Sequence, residues 1–132
     1  MIGVNRKVDR LLEAMAEHEG WYPAGTPGYP NGSMSFRNHN PGNLRSSIYQ
    51  VGTVNNFAVF KNDWIGWIAF QHDIMQKARG NTSTGLGPKS TISDLIYKWA
   101  PPSDNNNTEA YIKSVEAKSG LPRTMTLGEL FK

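Results

Sequence analysis

Arg6-Lys7-Val8-Asp9-Arg10-Leu11-Leu12-Glu13-Ala14-Met15-Ala16-Glu17-His18-Glu19-Gly20 is the stretch from which the rest of the chain is best read. Val8, Leu11, Leu12 and Met15 recur at helical spacing on one face. Asn5 is the predicted N-cap, and Gly20 suits the left-handed position just past a helix end. Arg10, Glu13 and Glu17 fall on the polar side, but Glu19 lies four residues after Met15, on the apolar stripe. A carboxylate there is expensive to ionise, and a helix C-terminus disfavours an anion. Both effects favour a protonated acid near neutral pH, the property general acid catalysis of glycosidic cleavage needs. The plainer reading is a helix-end Glu that bends into solvent or pairs with an Arg.

Outward from this helix, Gly20 to Gly32 holds three Pro and four Gly and is predicted to be loop. Asn38-His39-Asn40-Pro41-Gly42-Asn43 is turn chemistry throughout. Ser47–Val51 and Phe57–Phe60 are short strand candidates, with Gly52 and Asn55-Asn56 as turn residues between them. From Asn62 or Asp63 the helical period returns, with Trp64, Trp67, Ile68, Gln71, Ile74, Met75 and Ala78 inward and Gly80 as the stop. A third helix spans about Thr91–Trp99, opened by a Thr91-x-x-Asp94 capping pattern and stopped by Pro101-Pro102. A fourth runs from Thr108 to Lys118, and Thr126-x-x-Glu129 starts a short last turn. The pattern is α+β, mostly helical, in a single domain over residues 1–132.

Composition narrows the function. A chain of 132 residues can bury one core and has little room for two. At 38% hydrophobic and 11% aromatic it is not a disordered tail. The absence of Cys excludes disulfides, thiolate metal sites and a cysteine nucleophile. The net charge of +3 is scattered rather than gathered in a stripe, so nucleic acid is not an expected partner. The same balance suits an anionic cell-wall polymer. No apolar run approaches the roughly 18 residues of a membrane span, and no h-region follows the N-terminal charges, so neither a span nor a signal peptide is expected.

A second carboxylate is the next requirement of most glycosidases. Asp63 and Asp94 are better explained as helix caps, Asp73 lies on a helix flank, and Asp104 and Glu109 flank an Asn run. None is a clear partner, which keeps a one-carboxylate mechanism open. Asn38, Asn40 and Asn43 cluster, as do Asn105, Asn106 and Asn107. A carboxamide donates and accepts, which suits sugar hydroxyls and N-acetyl groups, although Asn is also at ease in turns. Asn40, Asn43 and Asn107 are the candidate substrate contacts among them. Trp64 and Trp67 are expected in the core, and Trp99, beside Pro101-Pro102, is a candidate sugar platform lining a cleft. His18, His39 and His72 lack ligand spacing, so neither metal nor other cofactor is expected. Gly85-Leu86-Gly87-Pro88-Lys89-Ser90 lacks the spacing of a phosphate loop.

Several motifs occur in a telling order. A Glu-Gly pair ends the first helix, followed by Arg37-Asn38-His39-Asn40-Pro41-Gly42-Asn43-Leu44-Arg45 and Phe57-Ala58-Val59-Phe60. Then come a helix carrying Gly66, and Trp99-Ala100-Pro101-Pro102-Ser103-Asp104-Asn105-Asn106 with Thr108 and Tyr111. Over roughly residues 8–118 this resembles a family of phage and prophage virion proteins in the lysozyme-like superfamily, thought to be peptidoglycan lytic transglycosylases. The resemblance implies a lysozyme-like fold with a small irregular β-hairpin region after the first helix. It implies that Glu19 is the catalytic acid. Asn43-Leu44 falls where related enzymes carry a substrate-contacting Gln, and Tyr111 at a family position matched to the Tyr that orients the acid. The implied partners are peptidoglycan glycan strands and other virion proteins. The implied location is the virion, or the periplasm and cell wall of a bacterium. The Asp and Thr that phage-type lysozymes carry after the hairpin have no counterpart here.

The implied reaction is cleavage of the β-1,4 bond between N-acetylmuramic acid and N-acetylglucosamine, with 1,6-anhydromuramyl ends. A hydrolytic muramidase on the same fold is the first alternative. A virion structural or wall-binding protein without turnover is the second.

Overall fold

The computed structural model describes residues 5–132. The architecture is mixed α+β, with six α-helices and one two-stranded antiparallel sheet among the described residues. In chain order these are α1 (Arg6–His18), α2 (Met34–Arg37), β1 (Gly52–Val54), β2 (Phe57–Val59), α3 (Asp63–Ala78), α4 (Ile92–Trp99), α5 (Thr108–Ser119) and α6 (Leu127–Leu130). A 3-10 turn, Pro102–Asp104, joins α4 to α5. No helix among them is long and apolar enough to cross a membrane.

The helix boundaries follow from local chemistry. Asn5 Oδ1 accepts from the Lys7 and Val8 amides, while its Nδ2 donates to the Leu130 carbonyl and ties α1 to α6. Gly20 takes φ +88, ending α1 after Glu19. Asn62 caps α3 by accepting from the Ile65 amide. The Thr91–Asp94 capping box is complete, with Asp serving where Glu is usual.

The core forms two clusters. Leu11, Leu12 and Met15 of α1 pack with Phe70 and Ile74 of α3, Leu95 and Ile96 of α4, and Ile112 and Val115 of α5. All of these are fully buried, each worth roughly 1.5–3 kcal/mol in transfer from water. Leu44, Ala58, Phe60 and Ala69 form a smaller cluster between the hairpin and α3. Trp99 packs against both, at the seam.

Three expectations need correction. Ser47–Val51 is not a strand. Gln50 Oε1 accepts from the Ser47 amide and Ser47 Oγ from the Tyr49 amide, so these side chains fold the segment into a turn. The strand begins instead at Gly52, and Asn55 and Asn56, both at positive φ, make the tight hairpin turn. Trp64 is 56% exposed rather than in the core. The inward face of α3 is Gly66, Ala69, Phe70, Ile74 and Ala78, set by contact with the 38–43 turn. A Cβ at Gly66 would stand 1.9 Å from the His39 carbonyl oxygen, and one at Gly42 would stand 2.8 Å from the Phe70 ring. Trp64, two residues before Gly66, is thereby turned to the opposite side of the helix. Asp63 is not the cap of α3, since Asn62 fills that place; its Oδ1 meets His39 Nδ1 at 2.6 Å.

Candidate active site

Glu19 is the C-cap residue of α1 and is half-buried. The hydrophobic stripe of α1 aims it toward α5 and the end of α4. Its Oε2 accepts the Tyr111 hydroxyl at 2.8 Å and the Trp99 indole Nε1–H at 3.2 Å. Its Oε1 takes no hydrogen bond from the described residues. One oxygen of the carboxyl is therefore anchored, and the other is left for an exchangeable proton.

Tyr111 is 2% exposed, on the buried face of α5. Burial pushes its phenol far above the usual tyrosine range, and the Glu19 charge and the bond to Glu19 add to the shift. Tyr111 is thus a neutral donor at every pH below the ordinary tyrosine range. His18 lies against it, ring centroids 3.9 Å apart. Burial lowers the His18 pKa, Glu19 opposes that shift, and Lys118 adds to it.

The loop after Glu19 is pinned rather than free. Ser35 Oγ donates to the Gly20 carbonyl, and the Tyr22 amide donates to Ser33 Oγ. The Asn40 amide donates to the Ser35 carbonyl, so the Asn-rich turn hangs from the same point.

The other candidates divide sharply. Asn40 is corrected from substrate contact to internal clamp. It is fully buried, its Nδ2 donates to the Leu44 and Ala58 carbonyls, and its Oδ1 accepts from the Leu44 amide. No polar atom remains for a ligand. Asn107 caps α5, with Oδ1 accepting from the Ala110 amide at 3.1 Å; this explains its presence without a substrate. Trp99 is half-buried. Its N–H is taken by Glu19, and its ring packs with Phe70 and Lys77. Asn43 sits at φ +50 with its Oδ1 shut from solvent and unpartnered. Tyr111 and Trp99 are brought to Glu19; Asn40, Asn43 and Asn107 are not bonded to it.

The remaining acids are mostly engaged elsewhere. Glu17 pairs with Lys118, Glu109 and Glu116 with Arg123, Asp73 with Lys77, and Asp94 closes its capping box. The Arg123 backbone and guanidinium bonds hold the Glu116 carboxyl below the usual range. None of these carboxylates is hydrogen-bonded to Glu19, whose side-chain partners are Tyr111 and Trp99. A cavity of about 240 Å³ lies between the Leu44–Ile48 segment and α3, with His72, Asp73 and Gln76 on its wall.

Sequence reasoning missed Lys77, whose ammonium stands 5.2 Å from the Trp99 ring centroid. The available signal was its spacing of four from Asp73, the usual helical ion-pair register. No family model, curated protein or solved structure matches the chain.

Proposed function

We propose that this chain is a peptidoglycan lytic transglycosylase on a lysozyme-like fold, with Glu19 as its single catalytic acid and base. The observation that carries the reading is the state of Glu19. One oxygen is anchored by Tyr111 and Trp99, the other is unengaged, and no second carboxylate is bonded into the site.

In this reading the protonated Glu19 gives its proton to the glycosidic oxygen between N-acetylmuramic acid and N-acetylglucosamine, and the C1–O bond breaks. The substrate's own N-acetyl oxygen helps to stabilise the oxocarbenium-like centre. The muramyl C6 hydroxyl then bonds to C1, and its proton returns to Glu19, which ends as it began. The nucleophile is tethered to the reacting sugar, so it acts at high effective concentration without an activated water. Tyr111 and Trp99 keep the carboxyl oriented through both proton transfers. Such work requires delivery to the wall, in a virion or in the periplasm, where glycan strands are the partner.

Digestion of purified peptidoglycan followed by mass spectrometry of the fragments tests the reading. Anhydromuramyl ends, lighter by one water than reducing ends, are expected. Reducing ends alone would assign the chain to hydrolytic muramidases. Wall binding with no clearing at any pH between about 4 and 8 would leave only a structural or binding role.

A further inference from the structure

Trp99 links Glu19 to α3. Its Nε1–H reaches Glu19 Oε2, and its ring stacks on Phe70 with centroids 5.6 Å apart. Lys77 follows Phe70 by seven residues, two turns along the same face of α3. A lysine on a helix surface ordinarily sends its ammonium into water. The Lys77 side chain is instead only 14% exposed, bound by Asp73 one turn earlier, with Nζ over the indole.

Two effects follow from that placement. The ammonium attracts the electron-rich face of the ring and resists its rotation out of the site. It also draws electron density from the indole, which makes the N–H a better donor to the Glu19 carboxyl. Phe70 alone supplies contact but no such polarisation.

We propose that Lys77 is a positioning residue for Glu19, acting through the Trp99 indole, with Asp73 holding the ammonium over the ring. The catalytic consequence rests on the lytic reading of Glu19; the effect on the indole does not. A cation–π contact biases an orientation by roughly two- to thirtyfold. Lys77→Met keeps the aliphatic stem and removes the charge, so kcat on solubilised peptidoglycan should fall about three- to tenfold with KM little changed. Lys77→Arg should restore most of the rate, because a guanidinium also sits well over an indole.

The second measurement is the Trp99 indole N–H resonance in a ¹⁵N–¹H spectrum, assigned with Trp99→Phe. In wild-type protein, Glu19→Gln should move this resonance. In Lys77→Met it should be displaced at the outset and respond less to Glu19→Gln, and Lys77→Arg should bring it back. An unchanged resonance and an unchanged kcat in folded Lys77→Met overturn the proposal. So does a rate loss that Lys77→Arg does not recover, since bulk packing would then be the cause. If the resonance behaves as expected but wild-type protein cleaves no wall, the positioning stands and the lytic reading fails. Should Lys77→Met not fold, Asp73→Asn decides by the same two readings, because it frees the ammonium while keeping the lysine.

Discussion

Tyr111 and Glu19 lie 92 residues apart in the chain and 2.8 Å apart in space, with the tyrosine hydroxyl donating to Oε2. The bond joins the end of α1 to the first turn of α5 and fixes the carboxyl that the proposed reaction uses to deliver a proton. Removing it should therefore affect chemistry more than folding. Tyr111→Phe should lower the lytic rate about tenfold or more, and stability by about 0.5–1.5 kcal/mol, the range for a typical intramolecular hydrogen bond.

The same residue shapes the alkaline limit. Its phenol titrates far higher in the fold than the ordinary value of 10.0, because of burial first and Glu19 second. A group raised in this way contributes stability that is whole below the unfolded value and is lost as pH rises above it. The melting temperature of wild-type protein should therefore fall more steeply above about pH 10 than that of Tyr111→Phe. Parallel slopes in that window would contradict the buried donor.

Glu19→Gln should reduce activity by about 10²–10⁴-fold, the usual worth of general acid catalysis. The amide oxygen can still accept from Tyr111 and Trp99, so the melting temperature should stay close to wild type. Glu17→Gln is the control. Its pair with Lys118 is largely exposed, and exposed pairs contribute at most about 1 kcal/mol. Its rate should be unchanged, and a dead Glu17→Gln beside an active Glu19→Gln would move the acid to the neighbouring face of α1.

Asn40 and Asn43 should separate cleanly. Asn40→Ala removes three buried hydrogen bonds and leaves the Ala58 carbonyl and the Leu44 N–H unsatisfied, while the Leu44 carbonyl keeps the Ala58 amide. At about 1–3 kcal/mol for each orphaned group, the variant should melt far lower or fail to fold. Asn43→Gly keeps the positive φ that Asn43 adopts, so stability should change little. A loss of turnover per folded molecule in Asn43→Gly would mark its carboxamide as a substrate contact; unchanged turnover would remove it from the site.

His18 sets an acid-side dependence. Its pKa is lowered by burial, with Glu19 opposing and Lys118 reinforcing. A histidine whose pKa is lowered in the fold costs stability as pH falls below the unfolded value of 6.5, where the unfolded chain takes up the proton first. Denaturant midpoints between about pH 7 and 5 should fall less for His18→Gln than for wild type. A wild-type curve no steeper than that of His18→Gln would refute the assignment.

The parts of the fold readable from the chain are those set by short-range chemistry. Asn5, Gly20, Thr91 with Asp94, and Gly120 each mark a helix end through one local hydrogen bond or one backbone conformation. The Ser47–Val51 error has the same origin, since its composition suits a strand while Ser47 and Gln50 bond the backbone into a turn. Trp64 was misplaced because periodicity follows side-chain size, whereas the packed face of α3 is chosen by an absent one, at Gly66. Glu19 was visible as a carboxylate on an apolar stripe. Its donors were not visible in the same way. Tyr111 could be placed only by resemblance, and the bond from Trp99 depends on how α4 and α5 dock against α1, which no local pattern encodes.

The 38–43 turn has the composition of a flexible loop and the surroundings of a core. Asn40 is sealed beneath it, the His39 carbonyl rests on Gly66, and Gly42 faces Phe70. The amides of Leu44 and Ala58, bonded to Asn40 Oδ1 and to the Leu44 carbonyl, therefore belong to the protected interior. In hydrogen–deuterium exchange they should open with α3 in a single cooperative unit, hours after the Gly25–Gly28 loop has exchanged. A ligand docking along this side of the molecule would meet a surface whose shape was settled during folding, and recognition there would select among ligands instead of adapting to them.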